Sequence, residues 1–159
     1  MHRKLGLLGL VLCSTMLCLQ AQSTDSLIRY WEVSIGEVRA TSLPEVSERF
    51  IDKAIHSTSN KAVLGAIYMA KINLVYDHPD YYEKALYAAD SAAEIFEELD
   101  DKKGVAEAYF SRVAAMVNFL DYDSTDFYLS KVEQYWHELD NRKGLADVAR
   151  KRGTIYYYQ

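Results

Sequence analysis

The residues able to do chemistry are few and scattered. Beyond the first 21 residues there are three histidines, His56, His78 and His137, each more than twenty positions from the next. A zinc site needs three or four donors brought together, so each reads as a surface or turn histidine. Carboxylates come in adjacent pairs, Glu97-Glu98 and Asp100-Asp101, but at positions that read as helix ends. There they cap a helix or face water, whereas a general acid needs a cleft that raises its pKa. Both cysteines, Cys13 and Cys18, lie in the N-terminal apolar stretch, so the rest of the chain has no thiolate nucleophile, no thiolate metal site and no disulfide. The run Tyr156-Tyr157-Tyr158 is the one candidate for stacking on a ligand. No Gly-rich phosphate loop, G-x-S-x-G elbow or H-E-x-x-H is present. The expectation is a chain without catalysis, metal or cofactor.

What the chain does contain is a phrase said twice. Glu98-Leu99-Asp100-Asp101-Lys102-Lys103-Gly104 returns forty positions later as Glu138-Leu139-Asp140-Asn141-Arg142-Lys143-Gly144, with five identities and two conservative exchanges. The agreement continues through Val105-Ala106 against Leu145-Ala146 and Arg112 against Arg152. Self-similarity at a fixed period of this length marks an array of supersecondary units.

The 159 residues suffice for one domain, and with half of them hydrophobic and only two prolines the composition is that of a folded helical protein. The start reads as a leader. His2, Arg3 and Lys4 make a positive end, Leu5 to Leu19 is uncharged, and Ala21 supplies a small residue for cleavage before Gln22. Fifteen such residues are fewer than the roughly 20 of a membrane span. Leu17 before Cys18 is too large for a lipoprotein site. Removing residues 1–21 takes the net charge from −5 to −7, with no stripe of lysine and arginine, so nucleic-acid binding by this segment is not expected.

Hydrophobic spacing then divides the rest into helices. In residues 22–42, Ser26, Leu27, Tyr30, Trp31 and Val33 line one side, with Gly36, Thr41 and Ser42 weakening the end. Ser42-Leu43-Pro44-Glu45 reads as a helix start capped by the serine, and Ser57-Thr58-Ser59-Asn60 as its stop. From Lys61 a helix carries Ala62, Ala66, Met69, Ala70, Asn73 and Tyr76 to a stop at His78-Pro79. Asp80 is placed to cap the next, whose stripe is Ala85, Ala88, Ala89, Ala92, Ile95, Phe96 and Leu99. Asp101 and Asn141 are the expected caps of the helices after the repeated phrase, with Asp100 and Asp140 in the left-handed conformation at the preceding ends; the other reading makes Gly104 and Gly144 the helix ends. The second unit repeats the layout with Val105, Tyr109, Val113, Met116 and Leu120, then Tyr128, Val132, Tyr135, Trp136 and Leu139. The expected division is a leader at 1–21, a degenerate helical repeat at 22–60, and units at 61–104, 105–144 and, in part, 145–159. Because the last unit is interrupted, the chain is expected to be the front part of a longer protein.

Asp80-Tyr81-Tyr82-Glu83-Lys84-Ala85-Leu86, Ala92, both E-L-D-x-x-K-G phrases and Gly153-x-x-Tyr156 resemble the tetratricopeptide repeat family in its forty-residue variant. The likeness covers residues 61–159. Asn73 and Val113 depart from it where Gly153 is typical, as do Thr125, Val132 and Leu120. The resemblance implies an all-α solenoid of helical hairpins in a right-handed superhelix, with first helices lining a concave wall and the tyrosine run packing on a following helix. On that wall it places Ile67, Ala70, Leu74, Asp77, Glu107, Phe110, Ala114, Val117, Asp147, Arg150, Thr154 and Tyr157, a surface suited to a protein or peptide partner. The implied role is an exported, periplasmic or extracytoplasmic protein-protein interaction module, touching a membrane only through an uncleaved N-terminus or a later span. The alternative is the input region of a bacterial signalling protein, a histidine kinase or transcriptional regulator.

Overall fold

The structure, a computed structural model, describes residues 23–73, 79–118, 122 and 124–158. Within them the chain is wholly helical, without strand: α1 (Thr24–Thr41), α2 (Pro44–Ser57), α3 (Lys61–Ile72), a 3-10 turn (Pro79–Tyr81), α4 (Tyr82–Glu98), α5 (Lys102–Asn118), α6 (Thr125–Glu138) and α7 (Arg142–Tyr158). No described helix is long and apolar enough to cross a membrane. The leader, and the expectations for Tyr76, His78 and Leu120, fall outside the described residues.

The repeated phrase folds the same way both times. Asp100 and Asp140 take positive φ, 54° and 48°. The next amide then reaches back a full turn, Asp101 N–H to the Phe96 carbonyl and Asn141 N–H to the Trp136 carbonyl, both at 2.9 Å. This double closure satisfies carbonyls that the helix end leaves open. Asp101 and Asn141 start the next helices, accepting on Oδ1 from the Gly104 and Gly144 N–H at 2.9 Å. Such a cap stabilises a helix by about 1 kcal/mol. The glycines serve the ring of the helix before. A Cβ on Gly104 would stand 2.5 Å from Phe96 Cγ, and one on Gly144 2.7 Å from three Trp136 ring atoms.

Other helix starts differ from the sequence expectation. Pro44 occupies the first turn of α2 with Leu43, not Ser42, at the cap position, and the Leu43 carbonyl takes the Val46 and Ser47 amides. Asp80 lies in the 3-10 turn, which leaves Tyr81 before α4 with no side-chain cap. Asn60 both follows the end of α2 and caps α3, accepting from Val63 N–H at 3.2 Å.

From α4 onward each helix packs chiefly on its neighbours in sequence, whereas α1 packs more on α3 than on α2, and α3 also touches α5. The core is therefore spread along the stack. Trp31 and Ile35 of α1 meet Ile51, Ala54, Val63 and Ile67, while Val33, expected in the same stripe, points out because it lies half a turn from both. In α4 the alanines at 85, 88, 89, 92 and 93 are all buried, so two neighbours approach closely on either side. The stripe stops before Leu99, which is 41% exposed: the helix has ended at Glu98. Gly36, far from ending α1, lies inside it on an open face.

Ion pairs recur with the units. α3, α5 and α7 each send a cation to the helix before them: Lys71 to Asp52 at 2.7 Å, Arg112 to Asp90 at 3.5 Å, and Arg152 to Glu133 and Asp126 at 2.7 and 3.0 Å. Within a pair, Lys61 meets Glu98 and Lys102 meets Glu138, at 2.6 and 2.8 Å. The exposed pairs, Lys61–Glu98 and Lys102–Glu138, contribute at most about 1 kcal/mol each. Their value here is in relating α3–α4 to α5–α6, whose ends are joined the same way.

Candidate functional site

First helices of three successive pairs meet along a cleft of about 240 Å³. From α1 come Glu32, Ile35, Gly36 and Arg39, from α3 Ala66, Met69 and Ala70 with its C-cap Asn73, and from α5 Ser111. Spacings of three and four place each set on one helix face. Gly36, Ala66 and Ala70 keep the floor low. Arg39 spans the cleft, donating from Nη2 to the Asn73 carbonyl at 3.1 Å and so holding the end of α3 against α1. Glu32 stands on the exposed wall.

The twelve residues placed on the wall by the family resemblance distribute unevenly. Ala70 lines the cleft. Glu107 and Ala114 share the Ser111 face of α5 by helical spacing, Glu107 exposed and paired with Lys103 at 3.5 Å, Ala114 half-buried. Asp147 and Thr154 occupy the corresponding face of α7, tied locally through Arg150, whose guanidinium meets Asp147 at 2.9 Å and whose carbonyl accepts from Thr154 Oγ1 at 3.1 Å. Tyr157 is exposed, its ring edge-on to Tyr158. Two expectations are corrected. Ile67 is fully buried in the α1–α3 core, because α1 and α2 both close on that side of α3. Val117 is buried in the cluster that includes Leu129 and Trp136, with Phe110 half-buried against it. Leu74 and Asp77 lie outside the described residues.

The contribution of α1 was hidden in the sequence, where residues 22–42 carry no repeat phrase. The usable signal was Trp31 and Ile35, four apart, which fix the buried face and so leave Glu32, Gly36 and Arg39 beside it.

Strongly shifted groups lie away from the cleft. Burial first, then Glu97, pushes the Tyr109 phenol up to about 12, and its hydroxyl donates to Glu97 Oε1 at 3.3 Å. Burial also raises Tyr68, Tyr81 and Tyr135. These shifts move phenols further from neutrality and hold them as hydrogen-bonded packing groups, the reverse of what proton transfer near pH 7 requires. Among the described residues no cluster of His, Cys, Asp and Glu is placed to hold a metal ion. What the cleft offers is a trough with small side chains below and polar ones at the rim, which can take a short apolar segment and bond its flanks. No protein-family model, curated protein or solved structure matches the chain.

Proposed function

We propose that this chain is an exported, non-catalytic array of the tetratricopeptide type, whose paired helices stack into a right-handed superhelix and bind a protein or peptide segment along the first-helix wall. The observation that carries the reading is the cleft across α1, α3 and α5: three helices from three units converge on one trough with a low floor. A two-helix unit cannot bury its apolar stripe alone, so neighbours cover it and leave one wall of the stack open. The segment read as a leader delivers the array across a membrane, and the cysteine-free remainder folds there by helix packing.

The test is to select peptides on the immobilised chain from a random display library and measure the winners by fluorescence polarisation. Ala70→Trp fills the trough from its floor. Peptides that bind the native chain and weaken at least about tenfold on this variant, roughly 1.4 kcal/mol, support the reading. Selected peptides that bind both equally contradict it.

A further inference from the structure

Polar groups on the first helices are of two kinds. Most are tied to a neighbour: Glu107 pairs with Lys103 at 3.5 Å, Asp147 with Arg150 at 2.9 Å, and the Arg39 guanidinium donates to the Asn73 carbonyl at 3.1 Å. Three that line the cleft across α1, α3 and α5 are different. Among the described residues, the Glu32 carboxylate, the Asn73 side-chain amide and the Ser111 hydroxyl enter no hydrogen bond or ion pair.

Helix geometry places them along the trough. Asn60, the cap of α3, donates to Thr24 of α1 at 3.2 Å, and Arg39 near the end of α1 reaches Asn73 at the end of α3, so the two helices run parallel. Glu32 and Arg39, seven residues apart, are separated by about 10 Å along the axis of α1. Glu32 therefore marks one end of the trough, beside Ala66, and Asn73 the other. Between them lie the small residues Gly36, Ala66 and Ala70, with Met69, whose flexible thioether adapts to the shape of what it covers. That span equals about three residues of extended chain.

Charge then decides what fits. Arg39 is engaged with the end of α3, and Arg29, three residues before Glu32, lines a separate patch with Tyr30 and Val33. The Glu32 carboxylate thus faces the trough without a counter-charge, whereas the Asn73 amide and the Ser111 hydroxyl at the far end are neutral groups able to donate. Resting on the reading of this cleft as a peptide site, we infer that it takes an extended segment of another protein in which a lysine or arginine meets Glu32. The adjacent apolar side chain lies on the floor of Gly36, Ala66 and Ala70, and a backbone carbonyl further along accepts from Asn73 and Ser111. An acidic residue at the Glu32 end is rejected by like charge.

Peptides selected on the immobilised chain from a random display library test this. Those that Ala70→Trp weakens are expected to carry a lysine or arginine next to an apolar residue. On such a peptide Glu32→Gln should weaken binding about threefold to fivefold, the size of an exposed ion pair, and Glu32→Lys at least about tenfold. Replacing the peptide's basic residue by glutamine should weaken it by the same factor as Glu32→Gln, and the two changes together should cost no more than either alone. Glu32 is exposed, so both variants should keep the helicity of the native chain. Trough peptides that lack a basic residue, or whose basic residue and Glu32 act independently, overturn the inference and leave the reading of the cleft in place. A selection that yields no binder, or only binders indifferent to Ala70→Trp, overturns both.

Discussion

Alanine at four glycines should separate into two signs. Inside a helix, glycine is destabilising relative to alanine by about 1 kcal/mol when the added methyl meets nothing. Gly36 and Gly153 are such positions, with no atom within 4 Å of a built Cβ, so Gly36→Ala and Gly153→Ala should each stabilise by about 0.5–1 kcal/mol. At Gly104 the same methyl would lie 2.5 Å from Phe96 Cγ and 2.8 Å from Asp101 Oδ2, so both the ring and the cap must move. At Gly144 it would lie 2.7 Å from the Trp136 ring. Overpacking of this kind costs about 1–3 kcal/mol, which outweighs the helix gain and leaves a net loss of about 1–2 kcal/mol. The two classes should differ by about 2 kcal/mol, or roughly 6 °C in Tm for a chain of this size. Urea unfolding followed by circular dichroism at constant m-value is the assay. If Gly104→Ala and Gly144→Ala stabilise as much as Gly36→Ala, the rings do not sit on those glycines and the account of the repeated phrase is wrong.

Further outcomes follow from the same packing. Asp101→Ala and Asn141→Ala each remove a cap at 2.9 Å and should cost about 1 kcal/mol in denaturant melts, with no such loss for Asp80→Ala, whose side chain caps no helix. Ala88→Asp buries an unpaired charge where exposure is zero and should cost several kcal/mol, whereas Leu99→Asp, at 41% exposure, should cost less than about 1; equal losses would contradict the assigned faces. The Tyr109 pKa is raised in the fold, so its stabilising share is fully present below pH 10 and is lost as pH rises through about 12. Tyr109→Phe should accordingly flatten the loss of stability between those values in alkaline melts. Mass spectrometry of exported protein should find Gln22 at the N-terminus, and a retained Met1 would count against the leader.

The parts of the fold that repeat were legible, and the parts that occur once were not. Asp100, Asp101, Asp140 and Asn141 could be read because a left-handed residue followed by a capping side chain is dictated by local backbone geometry, and the chain states it twice. The alanine face of α4 was legible for a similar reason: small residues at helical spacing have few uses other than close approach. Leu99 was misjudged because periodicity does not say where a helix stops, and one residue past Glu98 the stripe no longer exists. Ser42 and Asp80 were misjudged because Pro44 and the 3-10 turn at Pro79–Tyr81 move the start of the helix by a residue, which takes the side chain out of reach. For the candidate site, Ala70 lines the cleft while Ile67 lies beneath it, since three neighbours close around α3 and pattern alone does not tell a wall-facing residue from one beneath the wall. The share of α1 in the cleft depends on contact with α3, and the only local sign of it is the spacing of Trp31 and Ile35, which fixes the buried face of α1 without naming its partner.

The central claim, that the first helices form the binding wall, is tested most directly by mapping amide chemical shifts of the chain while a selected peptide is titrated in. Shifts concentrated at Glu32, Gly36, Ala66, Ala70 and Ser111 are the predicted result. Shifts confined to the second helices, α2, α4 and α6, would contradict it.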